Sequence, residues 1–199
     1  MTKTVSALFD TYSEASLAVS ALEAGGIPHS DISIVANNSE NWHSGDRTSN
    51  AAKDATGGAE AGAIVGGVGG LLTGLGVMAI PGVGPVVAAG WLVATAVGAV
   101  AGAAVGGATG GIIGSMTKAG VPEADANVYA EGVRRGGTLV TARVEDGRET
   151  EVRSILLRQK AVDLSTRGRI YRDSGWSSFD AKAPAYTAAE VERERALYR

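Results

Sequence analysis

Two glycine-rich stretches carry the strongest pattern in the chain: GGAEAGAIVGGVGGLLTG (residues 57–74) and GAVAGAAVGGATGGIIG (residues 98–114). In each stretch one glycine recurs at every fourth residue. The two series are Gly58, Gly62, Gly66, Gly70 and Gly74, then Gly98, Gly102, Gly106, Gly110 and Gly114. Positions four apart lie on one face of an α-helix, so each series predicts a helix with a groove that is free of side chains.

The segment between the two series predicts a hairpin turn. Residues 80–85 are IPGVGP, and Pro81, Gly82, Gly84 and Pro85 interrupt a helix. We therefore predict a glycine-zipper helical hairpin over residues 57–117, with arms over 57–78 and 85–116. Each glycine in a helix costs about 1 kcal/mol relative to alanine. Close approach of two helix backbones, which is typical of membrane helices, would compensate for this cost.

The charge distribution favours a membrane or a buried assembly. The chain has 199 residues and a net charge of -3, yet no charged residue lies between Glu60 and Lys118. The first arm would span about 33 Å, enough for a bilayer core of ~30 Å. Lys53 and Lys118 flank the hairpin on one side, as the positive-inside rule expects of the cytoplasmic side.

The flanking segments predict two halves of one α/β domain. Residues 1–36 read as strand, helix and strand, with Thr11 and Glu14 capping the helix and Gly25 ending it. Leu17, Ala18, Ala21 and Leu22 mark its inner face. Residues 118–167 read as helix, strand, helix and a short closing strand over 161–165. Because neither half buries a core alone, both would share one sheet. We predict an α+β fold, a split ferredoxin-like sandwich interrupted by the hairpin.

Two further segments complete the domain organisation. Residues 37–56 are polar and predict a linker. Residues 168–199 predict a tail with a short helix over 188–197, capped by Thr187 and Glu190. This tail would wrap the core or bind a partner chain.

Catalytic patterns are missing from the sequence. His29 and His43 stand in loops, without neighbours at metal-ligand spacing, and cysteine is absent. No phosphate-binding or nucleophile motif occurs, since the glycine spacing is helical. The net charge gives no reason to expect nucleic acid. We therefore expect no enzyme activity, no cofactor, no metal and no small-molecule substrate. The expected partners are a second copy of the chain and membrane lipid.

Several motifs resemble the bacterial general stress protein family with a YflT-like, heat-induced stress protein domain, related to low-temperature-induced proteins. They are AGGIP (24–28), the zipper hairpin, VPEADANVYAEGVRRGGTLVTARV (121–144), AVDLSTRG (161–168) and YRDSGWSSFD (171–180). The resemblance implies a stress-associated role and supplies no catalytic residues.

These features support three hypotheses. The preferred one is a non-enzymatic stress protein that self-associates through its hairpin, inserted in or packed on the inner membrane with its α/β domain in the cytoplasm. The alternative is a soluble cytoplasmic ring or shell that buries the hairpins between subunits. A lower alternative is an oligomeric pore.

Overall fold

A computed structural model describes residues 2–43, 70–73, 75–95 and 111–198. The strands are β1 (Thr2–Phe9), β2 (Ile32–Asn37), β3 (Gly76–Ile80), β4 (Gly84–Gly90) and β5 (Thr138–Glu145). The α-helices are α1 (Tyr12–Ala24), α2 (Gly70–Thr73), α3 (Gly111–Lys118), α4 (Glu123–Arg134), α5 (Glu149–Arg158), α6 (Leu164–Asp173) and α7 (Ala188–Ala196). A 3-10 turn covers His29–Asp31, and residues 91–95 are also helical.

The five strands form one antiparallel sheet in the order β1-β5-β2-β4-β3. Strand β5 lies between β1 and β2, with Val140 opposite both Ala7 and Ile34. The two halves of the sequence therefore share one sheet, as predicted. Strands β1 and β2 run in the same direction, but they do not pair with each other because β5 separates them.

Helices cover both faces of this sheet. Side chains of α1 and α5, among them Leu22 and Ile155, pack with Phe9 and Ile34 on one face. Side chains of α3 and α4 pack on the other face, where Met116, Tyr129 and Val133 meet Leu8 and Val35. The alternation of inward side chains along each strand thus builds two cores, one on each side of the sheet.

The mixed α and β composition is confirmed, whereas the ferredoxin-like arrangement is not. In the described residues β1 lies at an edge of the sheet and helices lie on both faces. The closing strand predicted over 161–165 is wrong, because α6 begins at Leu164. Asp163 caps that helix by accepting a hydrogen bond from the Thr166 N–H at 2.7 Å. The predicted boundary at residue 167 therefore falls inside a helix.

The ends of both predicted zipper arms are also corrected. Residues 76–78 and 85–90 were expected to be helical, but they lie in β3 and β4. Val77, Ile80, Val86 and Val87 are β-branched, and such side chains favour strands over helices. Within the described ranges, no helix combines the length and the apolar character needed to cross a membrane.

Candidate functional site: an uncharged edge of the sheet

The turn between β3 and β4 is built from Pro81 and Gly82. The Val83 N–H donates to the Ile80 carbonyl at 3.0 Å, and Gly82 has a φ of 75°. Proline followed by a glycine at positive φ is the pattern of a type II turn. Gly84 and Pro85 then begin β4. The residues predicted to turn a helical hairpin therefore turn a β-hairpin.

Strand β4 attaches this hairpin to β2. The Ser33 hydroxyl donates to the Ala89 carbonyl at 2.8 Å, and the Asn38 N–H donates to the Pro85 carbonyl at 2.8 Å. Gly90 closes the ladder with a φ of 98°, and a methyl group there would lie 2.7 Å from the Ser33 Cα. The backbones of β2 and β4 thus approach so closely that only glycine fits at this position.

Trp91 ties the end of β4 to a polar cluster. Its Nε1–H donates to the Asp31 carbonyl at 3.0 Å, and the Arg143 guanidinium lies 4.9 Å from the centre of its ring. Arg143 also pairs with the Asp31 carboxylate at 2.8 Å. Trp91 therefore makes a structural contact between the end of β4 and the Asp31–Arg143 pair.

Strand β3 forms the outer edge of the sheet. Among the described residues its one strand neighbour is β4. Because the Pro85 carbonyl is bonded on the β2 side, the opposed pair Ala79–Pro85 is not a hydrogen-bonded pair of the hairpin. Alternation along the ladder then directs the amide and carbonyl groups of Val77 and Ala79 away from β4. This edge carries no charged side chain, and Ala79 is exposed.

The opposite edge of the sheet, strand β1, is covered over its C-terminal half. The Val162 N–H donates to the Leu8 carbonyl at 2.8 Å, and the Tyr129 hydroxyl donates to the Ser6 carbonyl at 2.8 Å. Burial raises the pKa of Tyr129, Asp125 raises it further and Arg153 opposes the shift, so the hydroxyl remains a donor at neutral pH. Lys3 adds a charge to this strand. Such features hinder pairing of this part of the strand with another chain.

The C-terminal tail lies on the hairpin turn. A Cβ at Gly82 would lie 2.6 Å from the Ala181 Cα, and one at Gly84 would lie 2.6 Å from the Ala185 Cβ. The Phe179 N–H donates to the Asn127 side chain of α4 at 3.0 Å. Of the two interpretations of the tail, contact with the core of its own chain is the one present in the structure.

A network of arginines and acids fastens the tail to α4. The fully buried Glu131 accepts from Arg135 at 2.7 Å and pairs with Arg134 at 3.3 Å. Arg135 also bonds Glu194 of α7 at 2.8 Å, and Arg195 bonds Glu40 at 2.9 Å. Burial acts against the charge of Arg135, but its bonds to Glu194 and Glu131 raise its pKa above the ordinary value.

Most of the predicted zipper glycines lie outside the described residues: Gly58, Gly62, Gly66, Gly74, Gly98, Gly102, Gly106 and Gly110. Gly70 begins α2, and Gly114 is buried in α3 beside Ile112 and Met116. Whether the two glycine series pack against each other stays a prediction. Within the described ranges no group of three His, Asp or Glu side chains is arranged to hold a metal ion.

The sequence patterns did not identify Val77 and Ala79 as edge residues. They placed Val77 in a helix and assigned Ala79 to no element. One signal for them was available. The four-residue series stop at Gly74 and resume at Gly98, so the region between them lies outside the repeat. A proline-glycine turn between two apolar runs indicates a β-hairpin there.

Comparison with known families supports the resemblance seen in the motifs. Residues 4–81 match the family model described as the heat induced stress protein YflT domain. The match begins in β1 and ends at Pro81, in the turn of the hairpin. No curated protein matches the chain, and no solved structure matches it either.

Proposed function

We propose that the protein is a non-enzymatic stress protein that self-associates through the edge strand β3. The match of residues 4–81 to the family model of the heat induced stress protein YflT domain supports the stress-associated role. The observation that carries this proposal is the contrast between β3, which is uncharged and open among the described residues, and β1, whose Ser6 and Leu8 carbonyls are bonded on the outer side. Unpaired, apolar strand edges are templates for pairing with another chain.

The pairing would follow from the geometry of β3. A second copy placed antiparallel would satisfy the outward amide and carbonyl groups of Val77 and Ala79. Such a contact is self-complementary, as two-fold symmetric dimers require. The strand is short, so a stable assembly needs additional burial. The glycine series on both sides of the hairpin are the proposed source, because small residues let backbones pack closely.

Membrane packing is the second candidate. The uncharged run between Glu60 and Lys118 favours it, since a polypeptide in lipid must avoid charges along its length. In that arrangement the α/β domain and the tail would face the cytoplasm. The soluble ring or shell uses the same β3 contact without lipid. A pore ranks lowest, because the glycine-rich segment offers few polar side chains to line a channel.

The test of self-association uses the full chain and two substitutions at Ala79. Ala79→Pro removes an outward N–H, and Ala79→Lys adds a charge to the edge. Neither change removes a hydrogen bond of the β3–β4 ladder. Ala24→Lys, at another exposed alanine, is the matched control. We expect light scattering in plain buffer to give at least a roughly tenfold weaker association for both Ala79 variants.

Three outcomes would contradict the proposal. The wild-type chain would be monomeric at all concentrations, or both Ala79 variants would keep the wild-type mass, or Ala24→Lys would weaken association equally. Flotation with lipid vesicles separates the two forms of assembly. Flotation of the wild-type chain supports the membrane form, and a defined oligomer that stays below the vesicles supports the soluble form.

A further inference from the structure

We propose that residues 176–198 form a releasable strap that covers the apolar side of the hairpin turn and restrains self-association. This inference rests on the proposed function, since it concerns the regulation of the same hairpin. The strap connects three separate parts of the domain. Its first part touches the turn at Gly82, its middle contacts α4, and its end reaches Glu40 beyond β2.

The first contact is apolar and lies over the turn. Val83 is fully buried, and Ile80 and Phe179 pack against the same cluster. A Cβ added at Gly82 would also lie 3.0 Å from the Phe179 ring. Release of the strap would therefore expose apolar surface beside β3, which favours association with another copy.

The second contact is polar and fixes the strap to α4. Arg134 donates to the Pro184 carbonyl at 3.1 Å, and its guanidinium lies 4.9 Å from the centre of the Tyr186 ring. Glu194 joins Arg135 to the Tyr198 hydroxyl. The Tyr198 ring in turn lies 3.6 Å from the Arg167 guanidinium. Hydrogen bonds and cation–π contacts thus attach this part of the strap to α4 and α6.

The aromatic side chains of the strap, Trp176, Phe179, Tyr186 and Tyr198, are only half-buried. Between residues 176 and 198, Val191 is the one fully buried side chain, and it fills the space above Gly136. Segments with few buried apolar contacts open locally while the rest of a domain stays folded. Phe179 is the one residue of the strap that packs against either of the two cores on the faces of the sheet. The strap can therefore open without unfolding the domain.

The test compares two isosteric substitutions on α7 of the full chain. Glu194→Gln removes the charge that bonds Arg135, whereas Glu192→Gln changes an exposed residue of the same helix. Hydrogen exchange should become roughly tenfold faster over 176–198 in Glu194→Gln. Exchange over 80–86 should rise with it, and β1 and β5 should stay protected. Val191→Ser, which removes the apolar anchor, should give the same pattern.

Light scattering then tests the consequence for assembly. Glu194→Gln and Val191→Ser should associate at lower concentrations than the wild-type chain and Glu192→Gln. The strap is refuted if exchange over 80–86 is unchanged when 176–198 opens, or if opening leaves association unchanged while the Ala79 variants weaken it. If the Ala79 variants have no effect but exchange rises in both segments, the strap exists and the proposed function is wrong.

Discussion

The two edges of the sheet differ in how their outward backbone groups are bonded and in the charge beside them. At the β1 edge, Val162 bonds the Leu8 carbonyl, Tyr129 bonds the Ser6 carbonyl, and Lys3 carries a charge. At the β3 edge, the described residues offer no partner for the outward groups and no charge. This contrast between the two edges is the basis of the proposed pairing through β3, because unpaired apolar edges are templates for pairing with another chain.

The largest expected effect is a loss of stability at Gly90, where β4 pairs with β2 and so holds β3 in the sheet. Gly90→Ala adds a side chain at a φ of 98°, against the backbone of Ser33. Strain and overlap together should cost roughly 3–5 kcal/mol of unfolding free energy. Gly147→Ala is the control, because Gly147 has the same φ but nothing within 4 Å of the position that a methyl group would take. Its cost should be about 1 kcal/mol. Equal losses in urea titrations would mean that the β2–β4 approach is not tight.

The second-largest expected effect is a change in the pH dependence of stability at Tyr171 of α6, whose side chain is fully buried. Desolvation raises the pKa of Tyr171 to about 12, and the nearby Arg167 opposes the shift. Its contribution to stability is complete below pH 10, the unfolded value, and is lost as the pH rises towards 12. The loss should be at most roughly 3 kcal/mol.

Tyr171→Phe should reduce this loss, as measured by unfolding midpoints at pH 8, 10 and 12. Part of the slope should remain, because burial also raises the pKa of Tyr129 and of Tyr198. At neutral pH the variant should lose at most about 1 kcal/mol of unfolding free energy, since the Tyr171 hydroxyl faces the Arg167 guanidinium. An identical alkaline slope in variant and wild type would contradict the assignment.

The smallest expected effect is a loss of stability at the β1 edge of the sheet. Tyr129→Phe removes the hydroxyl that bonds the Ser6 carbonyl and keeps the ring in the core. The expected loss is about 1 kcal/mol of unfolding free energy at neutral pH. Tyr12→Phe is the control, because the Tyr12 hydroxyl has no hydrogen-bond partner among the described residues. If both variants lose the same stability, the cover of β1 by Tyr129 has no energetic role.

Local sequence signals predicted the elements whose ends are set by short-range chemistry. Thr11 and Gly25 bound α1, and the Thr187–Glu190 capping box begins α7, as expected. The inner face of α1 was wrong at one position: Leu17 is 59% exposed, and Ala15 and Val19 are buried instead.

Features that depend on residues far apart in the sequence could not be predicted from local patterns. The position of β5 between β1 and β2 is set by pairing across more than a hundred residues, for which no local signal exists. Helix was predicted for the β-hairpin because the glycine period on each side was extended through a region that lacks it. Of the candidate site, the turn at Pro81 and Gly82 was visible in the sequence, whereas the open edge of β3 depends on the sheet order.

The place of β5 also has a consequence for the order of synthesis. Strands β1 and β2 leave the ribosome early, but the strand that joins them follows only at residues 138–145. At ~5–20 residues per second, this gap is on the order of ten seconds. During that interval both strands expose unpaired edges while the glycine-rich segment is already emerging. Strand β5 therefore joins β1 and β2 only after the whole glycine-rich segment has been synthesised.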